Sequence, residues 1–302
     1  MLKKLDDLKS IITNEPVKKL VLAVANDQSS MGAVLKAYAE GIIIPIFIGD
    51  KENIQNIAAS NGYDISGFTV IHEPVIEKAV ELAVKMVHNK DAEILMKGKV
   101  GTSTLLKSVL NKEWGLRTGR LLSHFALFEV ETYHKLLAVT DVAMNISPKL
   151  QEKIAIINNS VDCFHKLGIT MPKVAVLGAV EMVNENMEAT LDAALLSKMN
   201  QREQIKGCII DGPLAFDNAV SIDSAKHKGI KSDVAGDTDL LLMPDLEVGN
   251  VLYKSLVFFA NAKVASVILG AAAPIVLTSR SDSEQAKHDS ILLASAASKN
   301  YS

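Results

Sequence analysis

Arginine is scarce in this chain: Arg117, Arg120, Arg202 and Arg280 are the only four in 302 residues. A site that grips substrate carboxylates with guanidinium forks needs several together, so the shortage argues against that class of enzyme. Cysteine is rarer still. Cys163 and Cys208 stand far apart at no metal-ligand spacing, which points to a reducing compartment and ordinary buried thiols. The seven histidines form no HxxxH or HxH pair, so no metal is expected, and His124, just before a strand, reads as structural. The nucleophile elbow GxSxG, the dinucleotide fingerprint GxGxxG and the phosphate loop GxxxxGKS/T are all missing.

Basic excess is missing too. Thirty-two Lys and Arg against 35 Asp and Glu leave a net charge of −3, and nucleic acid is therefore not an expected partner. The most apolar run, Ile42–Ile48, is too short to span a bilayer, so no membrane partner is expected. It reads as a strand, with Pro45 favouring an edge position. The N-terminal segment Met1-Leu2-Lys3-Lys4-Leu5-Asp6-Asp7 carries acids too early for a signal peptide, and a cytoplasmic location is expected.

What the chain has is a rhythm. Strands at Leu20–Ala25, Ile43–Ile48, Phe68–Ile71 and Glu93–Met96 alternate with segments of helical spacing, such as Val75, Ala79, Leu82, Ala83, Met86 and Val87. That alternation predicts an α/β fold with a mostly parallel sheet. Phe125–Val130 and Leu136–Thr140, separated by five polar residues, predict an antiparallel hairpin. From Pro148 the alternation resumes, through strands at Val174–Leu177, Cys208–Ile210, Leu240–Met243 and Val264–Leu269. A helix starts near Gly249, and another runs to the end of the chain.

Four segments concentrate chemistry. Lys97-Gly98-Lys99-Val100-Gly101-Thr102-Ser103-Thr104 follows a strand and opens a helix, where backbone N–H groups and lysines suit an anion; the plainer alternative is a loop with Thr102 or Ser103 as N-cap. Asp211-Gly212-Pro213-Leu214-Ala215-Phe216-Asp217 also follows a strand and reads as a turn, with Asp211 and Asp217 as hydrogen-bond acceptors or a base. Asp237, Asp239, Asp245 and Glu247 flank one strand, whose length keeps the two pairs well over ~10 Å apart and excludes a single shared cation site. Asn250 and Lys254 lie one turn apart on the helix that follows. Finally, Thr278-Ser279-Arg280-Ser281-Asp282-Ser283 places hydroxyls and a cation at a strand end, with Ser279 or Ser281 as a plain helix cap being the alternative. Phe125, Phe128, Phe216, Met243 and Met182 are candidates for an acyl pocket or for core.

Together, in order and over essentially the whole chain, these four segments resemble the phosphate acetyl/butyryl transferase family. The Thr-Ser-Arg-Ser-Asp-Ser form is more similar to its butyryl members. The resemblance implies a two-domain, three-layer sandwich of the isocitrate/isopropylmalate dehydrogenase type. Residues 1–118 and 269–302 would form one domain and 119–268 an inserted one, with the active site in the cleft and a homodimer or higher homo-oligomer. It implies acyl-CoA plus phosphate giving acyl phosphate plus CoA, by direct transfer in a ternary complex. Coenzyme A is then substrate or product, inorganic phosphate the other partner, and no cofactor is held permanently. By the resemblance, Ser279 hydrogen-bonds the thiol and Arg280 holds phosphate or polarises the acyl group. The substrate contacts would come from Lys97, Gly98, Lys99, Gly101, Thr102, Ser103, Thr104, Lys107, Asp211, Gly212, Pro213, Asp245, Asn250 and Lys254. The acetyl enzymes carry a catalytic aspartate seven residues beyond that serine, where this chain has Ala286. Asp282 is the expected substitute, with Glu284 the other nearby carboxylate. Lys107, near a family arginine that contacts CoA, keeps the charge without the fork. Three other readings stay open: an acetyl-specific enzyme, a decarboxylating 2-hydroxy-acid dehydrogenase on the same fold, and a CoA-binding regulatory module without turnover.

Overall fold

The computed structural model describes residues 2–279 and 282–298. The chain forms two compact units: a terminal unit of residues 6–120 and 265 onward, and a central unit of residues 121–264 with 2–5. In the terminal unit a single 3-10 turn (Leu5–Leu8) runs into α1 (Lys9–Ile12). Then β1 (Lys18–Ala23), α2 (Gln28–Ala39), β2 (Ile43–Gly49), α3 (Lys51–Ser60), β3 (Thr69–His72), α4 (Ile76–His88), β4 (Ile94–Lys97) and α5 (Thr102–Val109) alternate as the periodicity predicts. Every residue of β4 is buried, which is why the Ile-Leu-Met-Lys run is continuous rather than alternating. β2 is not an edge strand, contrary to the expectation from Pro45. It pairs with β1 on one side and β3 on the other, but the β3 ladder begins only at Ile46. Pro45, which has no N–H to give, sits just before that ladder.

The central unit opens with β5 (Ser123–Glu129) and β6 (Leu137–Thr140), which pair antiparallel as the predicted hairpin. It continues through α6 (Leu150–Lys166), β7 (Lys173–Leu177), α7 (Glu188–Gln201), β8 (Ile209–Leu214), α8 (Phe216–Val220), α9 (Ile222–His227), β9 (Leu240–Leu242) and α10 (Leu246–Phe258). Its strand order is β5-β6-β9-β7-β8, parallel beyond the first pair. Two expectations need correction. Asp211-Gly212-Pro213 is not a turn after a strand but the second half of β8, paired to β7 across a register shift. β8 ends the strand order of this unit, where a proline costs no ladder bond. And α10 starts at Leu246 rather than near Gly249, because Asp245 is its N-cap, accepting the Val248 N–H at 2.9 Å.

The chain returns to the terminal unit through β10 (Lys263–Leu269), β11 (Ile275–Val276) and α11 (Glu284–Ala297). The order there is β3-β2-β1-β4-β11-β10, parallel except between β11 and β10. The fold is thus mixed α/β with mostly parallel strands. Among the described residues no helix is long and apolar enough to cross a membrane.

Candidate active site

The terminal unit places two of the four segments side by side. β11 lies parallel to β4 with Ile275 opposite Leu95 and Val276 opposite Met96, so the segments that follow Lys97 and Val276 leave neighbouring strand ends. The carboxyl end of an open parallel sheet is where such folds bind ligands. β1 ends at the same level, with Ala23 opposite Lys97. There the backbone is tight: Gly98 N–H donates to Ala23 O and Lys99 N–H to Val24 O, each at 2.9 Å. Val24 is held at φ 59°, an unusual conformation for a β-branched residue. A Cβ on Gly98 would lie 2.7 Å from Ala23 O and nearer still to Val24 O, so only glycine fits.

Neither Thr102 nor Ser103 caps α5. The N-cap is Gly101, and among the described residues no side chain caps the first-turn N–H groups, which suits an anion approaching over Thr102, Ser103 and Thr104. Lys97 is buried, its Nζ donating to Gly98 O at 3.3 Å and Val100 O at 3.4 Å. Lys99 and Lys107 are exposed.

Beyond the neighbouring strand end, Ser279 and Asp282 are joined by two hydrogen bonds. Ser279 N–H donates to Asp282 Oδ2 at 2.6 Å, and Asp282 N–H donates to Ser279 O at 3.2 Å. Ser283, not Ser279 or Ser281, caps α11: its Oγ accepts the Ala286 N–H at 3.1 Å. Burial pushes the Asp282 carboxyl up, against the opposing pull of the Ser279 N–H and of the Lys287 and Lys97 ammoniums. Arg280, the predicted phosphate and acyl ligand, lies outside the described residues, as does Ser281. The sequence reading missed Lys287, which is buried one position beyond Ala286 and donates to Asp282 O at 2.8 Å and to Ser29 Oγ at 2.9 Å.

The central unit holds the other two segments, and it does not bring them together. β7 lies between β8, which carries Asp211, Gly212 and Pro213, and β9, which precedes Asp245. The separation is about two strand spacings, or roughly 10 Å. Asp211 Oδ1 accepts the neighbouring Gly212 N–H at 2.8 Å, and Asp217 is tied to Ser224 and Asn218. Asp237 and Asp239 belong to an ion cluster at the opposite end of β9: Lys173 donates to Asp237 at 2.6 Å, His134 meets it at 2.8 Å, and Lys135 reaches Asp239 at 2.7 Å. Among the described residues no three His, Cys, Asp or Glu side chains gather as a metal cluster.

Asn250 does face something specific. Its Nδ2 donates to Val142 O at 3.2 Å, inside a turn that starts at Asp141. Buried Asp141 accepts the Ala143 N–H at 2.9 Å, the Met144 N–H at 3.0 Å and Asn145 Nδ2 at 2.6 Å. His124 lies beside it; burial lowers its pKa to about 4 against the pull of Asp141, so the ring is neutral near pH 7. Asp141 and Asn145 were legible only as an Asp-x-x-x-Asn spacing after a strand. Lys254 is exposed on α10. Of the pocket candidates, Phe125, Phe128 and Met243 are core, whereas Phe216 and Met182 are exposed.

Residues 70–295 match the family described as Phosphate acetyl/butaryl transferase. The chain is 47% identical to the Phosphate butyryltransferase of Clostridium acetobutylicum, over 99% of this chain and 100% of that protein. It is 46% identical to the Phosphate acetyltransferase of Thermotoga maritima, over 92% and 94% respectively. The crystal structure of a branched-chain phosphotransacylase from Enterococcus faecalis superposes with a TM-score of 0.82 at 33% identity, covering 94% of this chain and 99% of that one. The chain belongs to the phosphate acetyl/butyryl transferase family and is an acyltransferase.

Proposed function

We propose that this phosphate acyltransferase works on a short acyl chain of about four carbons, interconverting butyryl-CoA plus phosphate with butyryl phosphate plus CoA. The observation that carries the reading is that the Lys97–Thr104 segment and the bonded pair Ser279 and Asp282 follow the ends of neighbouring strands. One supplies fixed positive charge and N–H donors, and the other a hydroxyl and a carboxylate.

In the direction of CoA acylation, the thiol sulfur attacks the carbonyl carbon of the acyl phosphate. Asp282 takes the thiol proton, because the thiolate is far the better nucleophile. Negative charge then builds on the carbonyl oxygen. Lys97 and the uncapped first turn of α5 are arranged to stabilise charge of that sign. The C–O bond to phosphate breaks, phosphate leaves with its electron pair, and the thioester remains. Ser279 orients the thiol. Lys99, Lys107 and Lys254, all exposed, are assigned to the anionic parts of CoA, and Asn250, with Asp211, Gly212, Pro213 and Asp245, to the substrate contacts of the central unit. Asp245 would do so only with what its capping bond leaves over.

The finer fold, a two-domain three-layer sandwich of the isocitrate dehydrogenase type, belongs to the same proposal. So does a cytoplasmic homodimer. The exposed Val251, Phe258 and Phe259 at 66%, 70% and 90% exposure support self-association. An acetyl-specific enzyme is the second reading, favoured by the near-equal identity to the Thermotoga relative. The test is the rate of phosphate-dependent CoA release across acetyl-, propionyl-, butyryl-, isobutyryl- and isovaleryl-CoA. A peak at acetyl-CoA selects the second reading.

A further inference from the structure

We propose that Lys287 is a positioning residue for acyl transfer, holding Asp282 in its working geometry. The inference rests on the reading of Ser279 and Asp282 as reaction residues. Lys287 is 4% exposed, and an ammonium is costly to bury. Among the described residues it makes no ion pair. It donates instead to two neutral oxygens, Ser29 Oγ at 2.9 Å and Asp282 O at 2.8 Å. Ser29 lies in the first turn of α2, so one side chain joins α2, α11 and the main chain of the turn.

Helix initiation does not account for this arrangement. Ser283 already caps α11 through the Ala286 N–H, and the Asp282 side chain is held separately by the Ser279 N–H. What Lys287 holds is the Asp282 carbonyl, and that fixes where the turn leaves the helix. Its charge has a second effect. With Lys97 it is one of two buried cations whose field reaches the Asp282 carboxyl. Lys287 thereby fixes the residue whose carboxylate is bonded to the Ser279 N–H.

The experiment measures CoA release from butyryl-CoA and phosphate by the full-length protein, alongside Lys287→Met, Ser29→Ala and the double variant. Lys287→Met keeps the length of the side chain and removes its donors. Its kcat is expected to fall about tenfold or more with KM for butyryl-CoA within about threefold, because a misplaced turn costs rate rather than ground-state binding. Ser29→Ala is expected to lower kcat by a smaller factor with an unchanged Tm. The double variant should be no worse than Lys287→Met, since both changes remove one linkage. A folded Lys287→Met protein with kcat within about twofold of wild type overturns the inference, and so do effects that multiply. If Lys287→Met does not fold, Ser29→Ala decides: a lower kcat at unchanged Tm supports the inference, and an unchanged kcat overturns it. Wild type inert toward every acyl-CoA would overturn the functional reading itself. Active wild type with indifferent variants overturns this inference alone.

Discussion

Ser279 and Asp282 hold each other: the Ser279 N–H donates to the Asp282 carboxylate at 2.6 Å while the Asp282 N–H donates back to Ser279 O at 3.2 Å. The bond keeps the Asp282 carboxylate next to Ser279, the serine proposed to orient the thiol.

Asp282→Asn keeps the shape and an acceptor for the Ser279 N–H but cannot take a proton. The kcat should fall about 10²-fold or more, the usual contribution of a general base. Glu284→Gln, exposed in the first turn of α11, should stay within a few-fold of wild type. Steady-state kinetics of the pair checks this, and the reverse ranking would move the base to Glu284.

The same carboxyl, as the proposed base, should set a pH limb. Its pKa is raised, chiefly by burial, so it protonates above the ordinary aspartate value of about 3.9. A base must be deprotonated, so activity should be lost as pH falls through that raised value. A pH–rate profile showing no acid limb above about pH 4 would contradict the assignment.

Two glycines in one turn should behave differently. Gly98→Ala drives a Cβ into Ala23 O and Val24 O and should cost about 1–3 kcal/mol or prevent folding. Gly101→Ala meets nothing nearer than 3.9 Å and should cost no more than about 1 kcal/mol, from the poorer N-cap. Denaturant titration of both variants tests the contrast.

Asp237 supplies an acid-sensitive part of stability. Desolvation opposes its ionisation, but hydrogen bonds from Lys173, His134 and Lys135 outweigh it and hold the carboxyl well below the usual range. A depressed folded pKa stabilises fully above the unfolded value of about 3.9 and is lost as pH falls through the folded one. Asp237→Asn should therefore be less stable at pH 7, by no more than about 1 kcal/mol because the side chain is 37% exposed, with the gap closing below about pH 4. Unfolding curves at both pH values measure it.

Much of the fold was legible because the apolar runs are period-pure. Ile94-Leu95-Met96-Lys97 followed by a Gly- and hydroxyl-rich turn reads as a strand end, and the Phe125–Thr140 hairpin follows from two apolar runs with five polar residues between them. Errors arose where one residue type has two uses. Gly212-Pro213 reads as a turn, yet at the end of the strand order it continues β8. The start of α10 reads as near Gly249, yet Asp245 caps the helix and it begins at Leu246. Lys287 was invisible for another reason: its acceptor Ser29 is 258 residues away, and nothing local marks the pairing.

Cys163 and Cys208 are buried, which raises their thiol pKa values to about 12 and about 11. A thiol reagent added to the folded protein should therefore register released CoA rather than the enzyme. That makes the deciding measurement clean: CoA release from the acyl-CoA panel, with and without inorganic phosphate. The account predicts phosphate-dependent release that is fastest near four carbons. No release from any acyl-CoA in the presence of phosphate would contradict it.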